Sequence, residues 1–305
     1  MSFGSIIGNN KVKSILTKSI SNNTVLHSYM FVGQQGIGKK MIAHQFAKMI
    51  LCENFNAVEC NVCKSCVEFN GGNNPDYMCI EPDGRAIKIE QIRNMQAKVV
   101  EKPINSNRKV YIINDADLMT KEAQNCLLKT LEEPPEYIVI ILIVSNESKM
   151  LQTIKSRCMK IHFEGISDEE VEKFLKENCN IQFVNNNILR MCDGSIGKCL
   201  AVRDRIDDYK KLESIFSNFN KSITSVVNSS ELLYKNKENI DEYLNYINVI
   251  LYHKAKENNN IRYINSIKIV EETKKRLSSN SNYDMCIDYL LFNIWEEINE
   301  KNSRC

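Results

Sequence analysis

The sequence predicts an α/β fold: a mostly parallel sheet of five strands flanked by helices, followed by a wholly helical region. Two observations carry this. Five short apolar runs rich in β-branched and aromatic residues alternate with helical patterns as far as Phe163. Such alternation builds a parallel sheet covered by helices. Beyond Phe163 the strand signal fades, and from about Asp207 apolar residues recur every three or four positions, the period of a helix.

The expected strands, in order, are Tyr29–Val32, Tyr77–Ile80, Val110–Ile113, Ile138–Val144 and Met159–Phe163. Each is short and continuously apolar, as buried parallel strands are. A helical run follows the first strand, from Met41 to Leu51. Another follows Asp117: Thr120 suits its N-cap, Ala123, Leu127, Leu128 and Leu131 form its apolar face, and Pro134-Pro135 stops it. Ser167-Asp168-Glu169-Glu170 reads as a capping box opening a helix to about Glu177. A further helix is expected over Asn186–Cys192, with Gly194 as terminator, and a third from Ser195. These signals divide the chain into 1–164, 165–206 and 207–305.

Composition narrows the class. The 305 residues suffice for two or three domains, and a net charge of +2 gives no global basic field for nucleic acid. The start, MSFGSIIGNNKVK, has no apolar core or cleavage pattern, so no secretory signal is expected. The longest apolar run, Tyr137 to Val144, is strand-sized. A cytoplasmic protein without a membrane partner is therefore expected. In that compartment twelve cysteines point to metal or free thiols rather than disulfides. The abundant asparagine reads as compositional bias.

Between the first strand and its helix stands GQQGIGKK, residues 33–40. A glycine-rich turn at this place exposes backbone N–H groups to phosphates. Gly33, Gly36 and Gly38 permit close approach, and Lys39 supplies charge. The next position needs a hydroxyl for Mg²⁺. Here it is Lys40, whose ammonium has no lone pair. After Val110–Ile113 a hydrolytic enzyme would place an Asp and a Glu. This chain has Asn114-Asp115-Ala116-Asp117. Two defects in one metal site argue against ATP turnover; nucleotide binding through Gly33, Gly36, Gly38 and Lys39 stays open.

Cys60, Cys63 and Cys66 are separated by two residues each, and Cys52 precedes them. Such gaps let four thiolates converge on one tetrahedral ion. Iron–sulfur clusters use similar spacing, but nothing else suggests electron transfer, so a structural Zn²⁺ is expected.

Taken together, these features resemble the bacterial clamp loader of DNA polymerase III, an AAA+ assembly. The resemblance rests on His27-Ser28-Tyr29-Met30-Phe31 before the loop, the inserted cysteine cluster, Asn125-Cys126-Leu127-Leu128-Lys129-Thr130-Leu131-Glu132-Glu133-Pro134-Pro135-Glu136, and Ser156-Arg157-Cys158. It covers at least residues 1–205. It implies an AAA+ core with zinc module over 1–164, a helical lid over 165–206 and an all-α collar over 207–305. Motor subunits of that family, gamma or tau, carry intact phosphate and metal motifs, whereas the delta-prime subunit often lacks them and keeps Ser-Arg-Cys. This chain departs from the motor pattern at Lys40, at Asn114 and at Gly197, where motors place a nucleotide-sensing arginine; Lys198 is one position away. The sequence also ends soon after the expected collar, so the long extension of a tau-type subunit is not expected. The resemblance therefore implies a non-motor subunit of the DNA polymerase III holoenzyme. Arg157 would act in trans on an adjacent motor's ATP. The implied partners are gamma/tau and delta in a five-subunit ring, primed DNA through backbone contacts, and the sliding clamp. Two alternatives stay open: an ATP-hydrolysing motor with unusual loop chemistry, and a zinc-bearing adaptor. Lys98, Lys102, Arg108 and Lys109 form a candidate basic stretch for DNA phosphates.

Overall fold

The computed structural model describes residues 3–54, 58–179, 186–217, 219, 223–279 and 281–299. The five expected strands form one sheet: β1 (Ser28–Val32), β2 (Tyr77–Ile80), β3 (Lys109–Ile113), β4 (Ile138–Val144) and β5 (Met159–His162). Their order is β2-β3-β4-β1-β5, and every pair is parallel. β4 is central and buried along its whole length. Its Val139, Ile141 and Ile143 enter one core with Phe31 and Phe46. Ile138, Ile140 and Leu142 enter the other with Met95 and Leu127. The period of two along a strand thus feeds both layers of helices.

The helices of this part are α1 (Asn10–Ser21), α2 (Lys39–Leu51), α3 (Lys64–Asn70), α4 (Ile89–Val99), α5 (Lys121–Glu132) and α6 (Gln152–Lys155). α2 begins two residues before the expected Met41, because the chain turns helical directly after Gly38. Thr120 caps α5 as expected, its hydroxyl accepting from Ala123 N at 3.2 Å.

Beyond the sheet come α7 (Asp168–Cys179), α8 (Asn186–Cys192), α9 (Ile196–Val202), α10 (Ile206–Ser217), α11 (Ile223–Ser229), α12 (Glu231–Lys235), α13 (Ile240–Asn258), α14 (Ile261–Ser278) and α15 (Tyr283–Asn299). Ser167 caps α7 by accepting from Glu170 N at 3.3 Å, and its hydroxyl turns to the Glu170 carboxylate at 3.4 Å. Contacts group 1–171 and 194–198 into one unit, and 172–193 and 199–305 into another. The second unit is held by apolar helix faces such as Ile247, Leu251, Leu290 and Ile294. Two of its buried tyrosines are anchored on carboxylates, Tyr243 to Asp208 at 2.8 Å and Tyr246 to Glu213 at 2.6 Å. Among the described residues no helix is long and apolar enough to cross a membrane.

Candidate functional site

The glycine-rich loop leaves the C-terminal end of β1 and enters α2 at Lys39. This is the edge where open parallel sheets bind ligands. Here the loop's basic group is already used. Lys39 is 5% exposed. Its Nζ donates to the carbonyl of Gly33, to that of Gln34 at 2.7 Å and to Ser145 Oγ at 3.1 Å. An ammonium has three hydrogens, and each has an acceptor within the chain. Burial pulls this amine down, while Asp115 and Asp117 oppose the pull.

The outer side of the loop is covered by residues 194–198. Ser195 Oγ donates to Gln35 O at 3.0 Å, Gly197 N to Gly36 O at 3.1 Å and Lys198 Nζ to Gln34 Oε1 at 3.2 Å. Gly36 has φ +80°, and a Cβ there would lie 2.3 Å from Ser195 Oγ. A Cβ on Gly197 would lie 2.9 Å from Gly36 Cα. The departure at Gly197 thus has a steric reason: only a residue without a side chain lets the two backbones meet.

The residues at the expected metal site do not fit Mg²⁺. Lys40 Nζ pairs with Glu81 Oε1 at 2.7 Å. Asn114 Nδ2 donates to Glu81 Oε2 at 2.8 Å and to Asp115 Oδ2 at 3.0 Å. A tethered ammonium and a neutral amide therefore satisfy the carboxylates that a divalent ion would need. Hydrogen bonding to Glu81 raises the Lys40 amine. Burial, with Asp117 and Glu81 nearby, raises Asp115. Asp117 accepts from Ser145 N at 2.9 Å and Asn146 N at 3.3 Å, so it anchors the turn after β4. Sequence reading missed Glu81, which carries no local signal of its pairing.

At the other end of α2, Cys52 is the C-cap; Cys63 caps α3. The sulfurs of Cys52, Cys60, Cys63 and Cys66 lie within 4.8 Å of one another. Backbone N–H groups point at three of them: Cys60 N to Cys52 at 3.5 Å, Cys63 N to Cys60 at 3.3 Å and Cys66 N to Cys63 at 3.4 Å. At Cys60 such donors favour the thiolate. Those of Val62 and Cys63 hold Cys60 down at about 6, while burial pushes Cys66 up. A tetrahedral ion with bonds of about 2.3 Å would place sulfurs about 3.8 Å apart, a small contraction from this arrangement. The four thiols could hold a metal ion.

The Ser-Arg-Cys turn lies between α6 and β5. Arg157 N donates to Ile154 O at 3.0 Å, and Ser28 Oγ donates to Arg157 O at 2.7 Å. Cys158 is buried, its thiol pushed up to about 11 by desolvation. The backbone is thus fixed, while the arginine side chain stays 35% exposed. Its Nη1 donates to Thr153 O at 2.9 Å and its Nη2 pairs with Glu132 Oε1 at 2.8 Å.

The basic stretch is smaller than its composition suggests. Lys109 is 2% exposed, with Nζ on Lys98 O at 3.1 Å. Arg108 Nη1 donates to Val25 O at 3.1 Å. Lys98 and Lys102 remain exposed.

The family described as DNA polymerase III, delta subunit, matches residues 8–167. The delta' subunit of DNA polymerase III from Bacillus subtilis is 36% identical over 167 residues, 55% of this chain and 51% of that protein. The tau subunit from Escherichia coli is 30% identical over 210 residues, 67% of this chain and 32% of that protein. A gamma-subunit-related protein of Thermotoga maritima, known from a crystal structure, is 18% identical with a TM-score of 0.49, over 94% of this chain and 98% of that one. The chain thus spans about half of the first curated relative and about a third of the second. The family match takes in more than half of the chain, including the phosphate loop, the thiol cluster and the Ser-Arg-Cys turn; this chain belongs to the DNA polymerase III delta-subunit family.

Proposed function

We propose that the chain is a non-motor, delta-prime-type subunit of the DNA polymerase III clamp loader, and that Arg157 completes the ATP site of an adjacent motor subunit. The observation that carries this reading is the state of the two basic groups. Every hydrogen of the Lys39 ammonium is taken by Gly33, Gln34 and Ser145, whereas Arg157 stands half-buried on a fixed turn. A loop whose lysine is so engaged does not offer that charge to phosphates. An arginine so placed keeps N–H donors for another chain. Its permanent charge and planar fork suit it to charge developing on a transferred phosphoryl group.

Residues 1–164 would form the AAA+ core, 165–206 a lid, and 207–305 the collar that holds the chain in a five-subunit ring with gamma/tau and delta. The ring would set the sliding clamp on primed DNA in the cytoplasm. Cys52, Cys60, Cys63 and Cys66 would hold a structural Zn²⁺, closed to catalysis because no ligand position is left open. The likeness to tau subunits favours one rival, a motor with its own turnover.

Reconstitution with the motor subunits tests the proposal. Arg157→Ala should leave assembly intact and lower ATP turnover at the adjacent motor site by about 10³-fold or more. Normal clamp loading by this variant would overturn the finger role. ATP hydrolysis by the isolated chain, lost on Lys39→Ala, would establish the motor reading instead.

A further inference from the structure

We propose that Glu132 is the positioning residue for Arg157, and that this is what the Leu131-Glu132-Glu133-Pro134-Pro135 stretch provides. The inference rests on the trans role of Arg157. Glu132 is the last residue of α5, and its Oε1 meets Arg157 Nη2 at 2.8 Å. Thr153 O on α6 takes Nη1 at 2.9 Å. Two acceptors on two different helices therefore fix the plane of the guanidinium. A lone acceptor would leave it free to rotate.

The supports of this arrangement are themselves fixed. The α5 terminus is set by Leu131, which is 2% exposed, and by Thr130, whose Oγ1 accepts from Gln96 Nε2 at 2.9 Å. Pro134-Pro135 cannot continue the helix, so the carboxylate comes at its end. On the other side, Ser28 at the start of β1 holds the Arg157 carbonyl. The arginine is thus braced at its backbone by the sheet and at its tip by two helix ends.

A long side chain that must reach a neighbour's phosphates loses rotamer freedom when it engages. Holding it in one orientation beforehand removes part of that loss and aligns its free hydrogens. Because Glu132 is 48% exposed, its charge is screened by water and offsets little of the arginine's field. Orientation is therefore its contribution, and the hydrogen bond matters more than the charge. Glutamine, whose Oε1 accepts in the same place, should substitute; alanine should not.

The test uses the reconstituted assembly with ATP and reads kcat and KM together. Glu132→Ala should lower kcat at the adjacent motor site about tenfold with KM within twofold, and Glu132→Gln should retain activity within about threefold. A purely structural role would lower the thermal midpoint and the assembled fraction instead of splitting kcat from KM. Arg157→Ala runs alongside. If it lowers turnover while Glu132→Ala does not, the positioning role falls and the finger stands. If Arg157→Ala has no effect, both fall. Equal loss in the alanine and glutamine variants would overturn positioning by hydrogen bonding.

Discussion

The phosphate loop and the Ser-Arg-Cys turn hang on the two ends of the same strand, and they use their basic residues in opposite ways. β1 begins at Ser28, which holds the Arg157 carbonyl, and ends before Gly33, which opens the loop. At the loop the cation is 5% exposed and its three hydrogens end on the loop and on Ser145. At the turn the cation has a fixed backbone and a 35% exposed head. A charge satisfied by its own chain is a structural element. A charge with donors left over is available to another molecule. On the proposed reading, one function could be lost and the other kept, because the two depend on different ends of one strand.

The sharpest way to break this comparison is to exchange the consequences. Arg157→Ala should lower turnover at the adjacent motor site by about 10³-fold and leave the chain's own melting point within a degree or two. Lys40→Thr, which restores the hydroxyl at the loop, should change that turnover by less than about twofold, since the Lys39 ammonium is already taken within the chain. A chain that gained ATP hydrolysis from Lys40→Thr alone would show that the closure is weaker than its hydrogen bonds indicate. ATPase assays on the chain and on the ring settle both.

Metal removal comes next. α2 runs from the phosphate loop to Cys52, and Lys48 Nζ reaches Asn61 between the clustered cysteines at 2.5 Å. Chelation or Cys63→Ser should lower the melting temperature by on the order of 10 °C. Hydrogen exchange should accelerate first at the C-terminal half of α2 and in α3, and the Ser-Arg-Cys turn should stay protected. Uniform loss of protection would mean that the module does not act through α2.

Two glycines sharpen the loop side. Gly36 and Gly38 have φ of +80° and +89°, but only Gly36 faces a neighbour, Ser195. Gly38→Ala meets the backbone penalty alone, about 1–2 kcal/mol. Gly36→Ala adds overpacking, for about 2–5 kcal/mol in all. Urea unfolding should separate them; equal values would show that 194–198 yields freely.

Much of this was legible from local pattern. All five strands were expected, because runs such as Ile138–Val144 are apolar on both faces and have no other use in a chain of this kind. The thiol cluster was legible because its spacing is short, and the Ser-Arg-Cys turn because its motif is contiguous; the role given to Arg157 comes from the resemblance. What was hidden is contact across long stretches of chain. Ser195 meets Gln35 from 160 residues away, and Asn114 meets Glu81 from 33. Lys109 looked like a free cation beside Arg108, yet at the start of β3 it is buried against Lys98 O. Charge in sequence does not say whether a helix end will claim it.

The smallest expected effect compares two solvent-facing ion pairs, Lys40–Glu81 and Arg157–Glu132. Lys40 is raised, chiefly by its bond to Glu81, so its share of stability is complete below the unfolded lysine value of about 10.4 and fades as pH rises through the folded one. Burial alone would raise Glu81, but bonds from Lys40 and Asn114 hold it below its ordinary value. Its share is present above about 4.3 and fades as pH falls through the folded value. Lys40→Met should therefore lose about 0.2–1 kcal/mol between about pH 5 and 10, with the gap to the parent narrowing beyond either limit and in high salt. It should leave the partner's turnover untouched. Arg157→Ala should show the reverse, a negligible change in stability and a large one in turnover. If both pairs behaved alike in both measurements, the division between a structural cation and an exported one would not hold.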